Sequence, residues 1–313
     1  MRTRVMLLCA ALVLVGTWLL WSANSSERHH QPAATDAVPA ELTQFDLTRA
    51  ETVFEGRGAE FWDQSIRERG WIMRSAEGYR MWYSGHSGDR SNIKLLGHAT
   101  SSDGRNWQRT DAPLVPDQWI EDVMVIVHEG SYYMFAEGVG DQAQLWHSDD
   151  GLNWSSLGKI DLRLTNGEPI ASGSYGTPTG FVEDNVWYLF YEREDLGIWV
   201  AQSTDLKVWT NLTDDPVILP GPESYDKRLI AMNQVIKRDG RYYAYYHGTG
   251  STSKPADWCT ALAVSDDLLH WQKYSGNPIL PCDRDSASGI LVTHGEDAEF
   301  YIMHNAVKRY PPK

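Results

Sequence analysis

The sequence Ser101-Ser-Asp-Gly-Arg-Asn-Trp107 has a spacing, Ser-x-Asp-(Gly/Leu)-x-x-Trp, that occurs four times in the chain and predicts its fold. We call each copy a staple; the four are Ser101–Trp107, Ser148–Trp154, Ser203–Trp209 and Ser265–Trp271. Their starts lie 47, 55 and 62 residues apart, which is typical of propeller blades. Short Ser and Asp side chains hydrogen-bond the backbone two residues on, and Gly tolerates a left-handed turn. We therefore predict that the staple aspartates hold turns and are not catalytic.

Two apolar runs joined by a short polar turn precede each staple, and a fifth pair of runs has no staple after it. The first runs are Ile66–Arg74, Val123–His128, Thr179–Val182, Ile230–Lys237 and Ile290–Thr293. The second, aromatic runs are Tyr79–Gly85, Tyr132–Gly138, Trp187–Arg193, Tyr242–Gly248 and Phe300–Ala306. These runs are too short for helices and rich in β-formers. Five such units predict an all-β fold, a five-bladed β-propeller of four-stranded antiparallel blades.

The N-terminal part of the chain has a different composition from the propeller. Arg2 and Arg4 precede the apolar run Val5–Trp21, so residues 1–25 are predicted to be a signal peptide or an uncleaved membrane anchor. Residues 26–41 have the composition of a linker, and residues 42–313 form the propeller. The protein is therefore predicted to be secreted or periplasmic. A strand before Phe54 is expected to complete the fifth blade and so remove a free sheet edge.

Charge and composition restrict the partners. The net charge of −14 excludes a nucleic-acid partner, which demands a basic surface, and 14 Trp and 15 Tyr offer rings that stack on sugars. We predict a carbohydrate substrate, no cofactor and no metal, since no His/Asp spacing marks a metal site. Cys259 and Cys282 lie in or just after the fourth blade, and the sequence leaves open whether they are bridged.

The predicted topology also indicates which polar residues meet a substrate. The staples and the turns between the first two strands of each blade lie on one face, so ligands are expected on the other. Aligning the aromatic strands places a polar residue of a different type in each blade: Ser84, Glu137, Glu192, His247 and Asn305. The candidate catalytic residues are Asp63, Glu68, Asp122 and Glu192. The candidate substrate-binding residues are Arg67, Arg69, Trp119, Glu137, Arg193, Gln234, His247 and His304.

From about Phe54 to the C-terminus the staples and aromatic strands resemble the five-bladed propeller glycoside hydrolases, the superfamily of arabinanases, invertases and levansucrases, and within it family 43 or 117. The resemblance implies a glycosidase with one acid in blade 1 (Asp63 or Glu68), a tuning acid in blade 2 (Asp122) and a proton donor in blade 3 (Glu192). It also implies inversion of configuration. The Asp-Pro pairs typical of the inner strands of those families are replaced here by "RERG" and "GTPTG".

The chemistry of glycoside cleavage assigns provisional roles. A carboxylate must activate water or attack carbon, and an acid must protonate the leaving oxygen. Asp63 or Glu68, close to Arg67 and Arg69, suits the base, and Glu192, after bulky residues, suits the acid. Arg67, Glu68 and Arg69 could instead form a purely structural ion cluster, and His247 could be the acid or an ordinary hydrogen-bonded histidine.

Three functions remain open from the sequence. The leading prediction is a hydrolase acting on a neutral plant or algal glycan. A non-catalytic carbohydrate-binding propeller would use the same aromatic and polar ring. A glycoside phosphorylase would need a phosphate clamp, for which Arg67, Arg69 and Arg193 are the available cations.

Overall fold

The computed structural model describes residues 38–89, 91–295 and 297–313, and these form the five-bladed β-propeller that the repeats predict. The first strand is β1 (Glu51–Phe54). Blade 1 contains β2 (Ser65–Ile66), β3 (Trp71–Ser75), β4 (Gly78–His86), β5 (Leu95–Ser101) and β6 (Gln108–Arg109). Blade 2 contains β7 (Glu121–His128), β8 (Ser131–Gly138), β9 (Gln142–Ser148) and β10 (Ser155–Lys159).

The other three blades repeat this meander. Blade 3 contains β11 (Asp161–Arg163), β12 (Gly176–Glu183), β13 (Val186–Glu192), β14 (Ile198–Ser203) and β15 (Val208–Asn211). Blade 4 contains β16 (Leu229–Arg238), β17 (Arg241–Thr249), β18 (Cys259–Ser265) and β19 (Trp271–Lys273). Blade 5 contains β20 (Gly289–His294), β21 (Asp297–Met303), β22 (Val307–Tyr310) and β1. Two short 3-10 turns, Ala40–Leu42 and Leu47–Arg49, precede β1.

Each staple is a turn held by its own side chains, as predicted. In the second copy, the Ser148 hydroxyl accepts from Gly151 N at 2.9 Å, and Asp150 Oδ1 accepts from Leu152 N and Asn153 N, both at 2.8 Å. These backbone donors stabilise the carboxylate and lower the pKa of Asp150. Gly151 has φ of 72°, the left-handed conformation that glycine tolerates best.

The staple tryptophans join neighbouring blades. Trp154 packs edge-on against Trp82 of blade 1 with ring centroids 6.5 Å apart, and Trp209 packs against Phe135 of blade 2 at 5.8 Å. Trp271 packs against Phe190 of blade 3 at 5.9 Å. The aromatic partner is in each case the fifth residue of its strand: Trp82 in β4, Phe135 in β8 and Phe190 in β13. The staple therefore sets both the turn and the contact between blades, which is why its spacing predicts the ring.

The two ends of the chain close the ring. Strand β1 pairs antiparallel with β22, so Glu51 lies opposite Arg309, and Phe45 forms an isolated bridge with Pro312. The predicted closing strand is confirmed, although only four of its residues form the strand. A disulfide joins Cys259 in β18 to Cys282 in the connection to blade 5, which resolves the point that the sequence left open.

Three details differ from the sequence prediction. The first run of blade 1 is broken between β2 and β3, because Glu68 adopts φ of 57° and Arg69 turns its N–H to another blade. Blade 3 gains a fifth strand, since β11 pairs parallel with β15. In blade 5 the predicted alignment is two residues off: counted from the hairpin, Met303 takes the position of Glu137, while Asn305 is exposed.

Within the described residues, no helix has the length and apolarity needed to cross a membrane. The predicted signal peptide or anchor, residues 1–25, lies outside the described residues, as does most of the linker.

Candidate active site

The inner strands begin with irregular backbone that carries polar side chains. Asp122, Thr177 and Ser288 near the starts of three inner strands have φ of 50°, 44° and 58°, and Glu68 has 57°. The pairing of β7 with β8 and of β12 with β13 also shifts register at these points. Left-handed residues other than glycine persist where the surroundings fix them, and they cluster at functional sites.

Arg69 holds Asp122 in place through two hydrogen bonds. The Arg69 N–H donates to Asp122 Oδ1 at 3.0 Å, and its guanidinium donates to the Asp122 carbonyl oxygen at 2.6 Å. The same guanidinium donates to Thr179 Oγ1 at 2.5 Å and to the Met232 carbonyl oxygen at 3.1 Å. Arg69 is fully buried and connects four blades, so it positions Asp122 and does not itself meet a substrate.

Two further carboxylates converge on the start of β12. Glu137 Oε2 accepts from Thr177 N at 2.8 Å, and Glu192 Oε1 accepts from Gly176 N at 3.1 Å. A Cβ added to Gly176 would collide with both carboxylates, so only glycine lets them come this close. The column predicted from the aromatic strands therefore brings Glu137 and Glu192 side by side.

Glu68 lies at the edge of this group. Its carboxylate forms an ion pair with Arg67, and its Oε2 lies 3.5 Å from His304 Nδ1. Trp119 donates from its indole N–H to Glu121 Oε1 at 2.7 Å, which orients the neighbouring acid. We call the group the acidic pit; its members are Glu68, Glu121, Asp122, Glu137, Glu192 and Asp195.

Burial and mutual repulsion raise the pKa values of carboxyl groups in the pit. Burial, followed by the charge of Glu68, raises the pKa of Asp122 to about 8. Burial, followed by the charge of Asp122, raises the pKa of Glu137 well above its usual range, and burial also raises the pKa of Glu192. Crowded, desolvated carboxyls with shifted pKa values are typical of acid–base sites. The pit therefore retains protons at neutral pH.

His247 is a neutral histidine beside the pit. Its Nδ1 lies 2.7 Å from Asn233 Oδ1, and Trp258 packs edge-on against its ring at 5.1 Å. Burial, followed by the nearby His304 and Arg69, lowers the pKa of His247 to about 3. An imidazole with that pKa does not supply a proton near neutrality, so the hydrogen-bonded alternative fits His247 better than the acid role.

Some predicted residues lie in structural contacts. Asp63 is fully buried and accepts from Arg57 at 2.5 Å, Tyr83 at 2.8 Å and Arg109 at 3.0 Å. Blade 4 repeats this arrangement, since Asp226 accepts from Tyr246 at 3.0 Å and from Lys273 at 2.6 Å. A contact repeated in two blades supports the ring, which removes Asp63 from the catalytic candidates.

The side chains of Gln234 and Arg193 also form hydrogen bonds with backbone groups. Gln234 exchanges two hydrogen bonds with Leu291 of blade 5, at 2.7 and 3.0 Å. Arg193 donates to the carbonyl oxygens of Ala171, Ser172 and Ser174 and so shapes the loop before β12.

Sequence reasoning missed Asp195. Its N–H donates to Glu192 Oε2 at 2.5 Å, and it follows Glu194, with φ of 56° and 54° for the two residues. Burial and the charge of Glu192 raise the pKa of Asp195 to about 7. The available signal was the acidic pair directly after Arg193, just beyond the end of the predicted strand. Within the described residues, no three His, Cys, Asp or Glu side chains are grouped to hold a metal ion.

Comparison with known proteins relates the chain to carbohydrate-processing enzymes. No family model matches the chain. A 1,2-beta-oligomannan phosphorylase of Thermoanaerobacter sp. (strain X514) is 28% identical over 169 residues, which cover 50% of this chain. The match spans about half of that relative, 53% of its length.

Solved structures share the fold at low sequence identity. A glycosyl hydrolase from Bacteroides ovatus matches with a TM-score of 0.64 and 15% identity, over 80% of this chain and 84% of that one. The β-1,2-mannobiose phosphorylase from Listeria innocua matches with a TM-score of 0.59 and 15% identity, over 78% of this chain and 89% of that one. These likenesses confirm the propeller fold. The narrower likeness to families 43 and 117 stays a prediction.

Proposed function

We propose that the protein is a glycoside hydrolase that cleaves a β-mannosidic bond in an oligosaccharide. The observation that carries the proposal is the acidic pit, in which a buried, protonated Asp122 lies near Glu68, a carboxylate paired with Arg67. Glycoside cleavage requires one carboxylic acid and one carboxylate around the same bond. The proposed substrate, a β-mannoside, is more specific than the predicted plant or algal glycan. It is supported by the similarity of the chain to a 1,2-beta-oligomannan phosphorylase and a β-1,2-mannobiose phosphorylase.

In the proposed mechanism, Asp122 donates its proton to the leaving oxygen as the glycosidic bond breaks. Glu68 removes a proton from a water molecule whose oxygen forms the new bond to the anomeric carbon, with inversion of configuration. Glu137, Glu192 and Asp195 would exchange hydrogen bonds with sugar hydroxyls, and burial raises the pKa of each of the three carboxyl groups. Arg69 acts through Asp122 as a positioning residue.

Hydrolysis is favoured over phosphorolysis because the arginines that could bind phosphate already have other partners. The three arginines on which a phosphate clamp would draw are already engaged: Arg67 with Glu68, Arg69 with buried backbone, and Arg193 with three carbonyl oxygens. A phosphate dianion would also enter a pit rich in carboxyl groups, at a cost in charge repulsion. Because the chain is similar to a 1,2-beta-oligomannan phosphorylase, phosphorolysis is the alternative outcome of the test.

The test is turnover of β-1,2-mannobiose and aryl β-mannosides with and without inorganic phosphate. We expect mannose as product, independent of phosphate, and a single anomer by NMR. Asp122→Asn should lower kcat by about 10²–10⁴-fold on mannobiose, and less on an aryl mannoside whose leaving group needs no proton. Glu68→Gln should lower turnover of both substrates.

A matched control is Asp184→Asn in the hairpin turn between β12 and β13, on the face opposite the pit, which should keep wild-type turnover. Mannose 1-phosphate as product would establish the phosphorylase. Retained sugar binding by a wild type without turnover on either substrate would favour the carbohydrate-binding propeller.

A further inference from the structure

We infer that a polar pocket on blades 1 and 5 binds the sugar unit that leaves when the bond is cleaved; this inference rests on the proposed function. The pocket has a volume of about 560 Å³. Its lining includes Gln64, Ser65, Arg67, His86, Asp89 and Asn305. No residue of the acidic pit lines it, so it is a separate site that adjoins the pit.

Arg67 connects the pocket to the pit. Its side chain lines the pocket and pairs with Glu68, and the two side chains are 25% and 18% exposed. A ligand in the pocket therefore lies one side chain away from the proposed base. With the reacting sugar among the buried acids, the next sugar of the chain would lie over the outer ends of blades 1 and 5.

One wall of the pocket is built from closely packed backbone. Strand β2 pairs with the end of β4, so Ser65 lies opposite His86. Gly58 N donates to the Gln64 carbonyl oxygen at 3.2 Å, and a Cβ on Gly56 would collide with that oxygen. Because the segments before β2 are packed this closely, the pocket exists before a ligand binds, which lowers the entropy cost of binding.

The donors and acceptors of the pocket suit a neutral sugar. Gln64 Oε1 accepts from Gly88 N at 2.9 Å, which fixes the amide plane while its nitrogen keeps two N–H donors for a ligand. Arg67 adds a cation, and Glu55 and Asp89 add acceptors. Mixed donors and acceptors match hydroxyls, which both donate and accept. A phosphate dianion would meet the carboxylates of Glu55 and Asp89.

A larger cleft on blade 4, of about 760 Å³, offers less to a ligand. Its Lys273 ammonium already donates to Asp226 and to the carbonyl oxygens of Leu219 and Gly221. The side-chain amide of Asn277 accepts from Leu262 N and donates to the Leu262 carbonyl oxygen. Lys273 and Asn277 therefore stabilise the blade.

Comparing two substrates tests the inference. Gln64→Ala should lower kcat/KM for β-1,2-mannobiose about three- to tenfold, the value of one neutral hydrogen bond. It should leave an aryl β-mannoside unchanged, because the aryl group makes no such bond. The matched control is Gln272→Ala on the exposed side of β19, which should change neither substrate. Far-UV circular dichroism and the urea midpoint check that each variant folds.

An equal loss on both substrates, or no loss on mannobiose, would overturn the inference. A calorimetric arm keeps the two proposals distinguishable, since it measures mannobiose binding in the Asp122→Asn background with and without Gln64→Ala. Affinity should fall about three- to tenfold on adding Gln64→Ala. Wild-type protein without turnover on either substrate refutes the proposed function, whereas absent or unchanged mannobiose binding refutes the pocket.

Discussion

Replacing Asp122 with Asn should change how the stability of the protein depends on pH. The unfolded chain ionises Asp122 near 3.8, whereas burial and Glu68 raise its pKa in the folded protein to about 8. Between these values the folded state binds more protons than the unfolded state, so the free energy of unfolding falls as pH rises. The asparagine does not titrate, and its Oδ1 can still accept from Arg69 N.

The magnitude follows from the size of the shift. Each pKa unit corresponds to about 1.4 kcal/mol, so the variant should gain that much stability relative to wild type per pH unit between pH 4 and 8. Over the whole interval the relative gain is on the order of 5 kcal/mol. The substitution should thus stabilise the folded protein while it removes the proposed proton donor, because the site keeps a costly group for function.

The measurement is urea unfolding followed by tryptophan fluorescence at each pH from 4 to 8, for both proteins. The control is Asp150→Asn, whose parent carboxylate has a lowered pKa. Above the unfolded pKa near 3.8 the contribution of this carboxylate is fully present, so the difference between Asp150→Asn and wild type should stay constant from pH 4 to 8. If the Asp122→Asn difference changes by less than about 1 kcal/mol over the interval, Asp122 is not the buried acid described here.

Two further predictions concern the frame of the site. Arg69→Met should lower the free energy of unfolding by about 3–5 kcal/mol, because buried carbonyl oxygens of three blades lose their hydrogen-bond donor. Urea unfolding measures this loss. A loss below about 1 kcal/mol would contradict the role of Arg69 in connecting the blades. Replacing Cys259 and Cys282 with Ser should cost about 3 kcal/mol, the entropy of a loop of this length. Equal stability of the wild type with and without a reductant would show that the bridge contributes nothing.

The blade number and order were predictable because they depend on local signals. A staple such as Ser148–Trp154 holds its turn through hydrogen bonds within the motif, so its residue types are dictated over seven positions. The hairpins are likewise local, with left-handed pairs such as Glu129-Gly130 between strands. Blade 5 has no staple, and there the alignment slipped by two residues, from Met303 to Asn305.

The candidate site was predictable only in part. Glu137 and Glu192 were predicted correctly to lie together, because side chains alternate along a strand and these two occupy the same position in successive blades. Asp63 and Glu68 looked alike, since both are acids of blade 1 that lie near arginines in the sequence. The fold separated them: Asp63 is enclosed by Arg57, Tyr83 and Arg109, and Glu68 borders the pit.

Local sequence patterns thus specify a closed ring of five sheets and the face on which its acids meet. Which acids are desolvated and which acquire hydrogen-bonding partners depends on the folded protein, as the buried Arg69 and the overlooked Asp195 illustrate. A turn depends on neighbours in the chain, whereas desolvation and charge pairing depend on residues that folding brings together from distant blades.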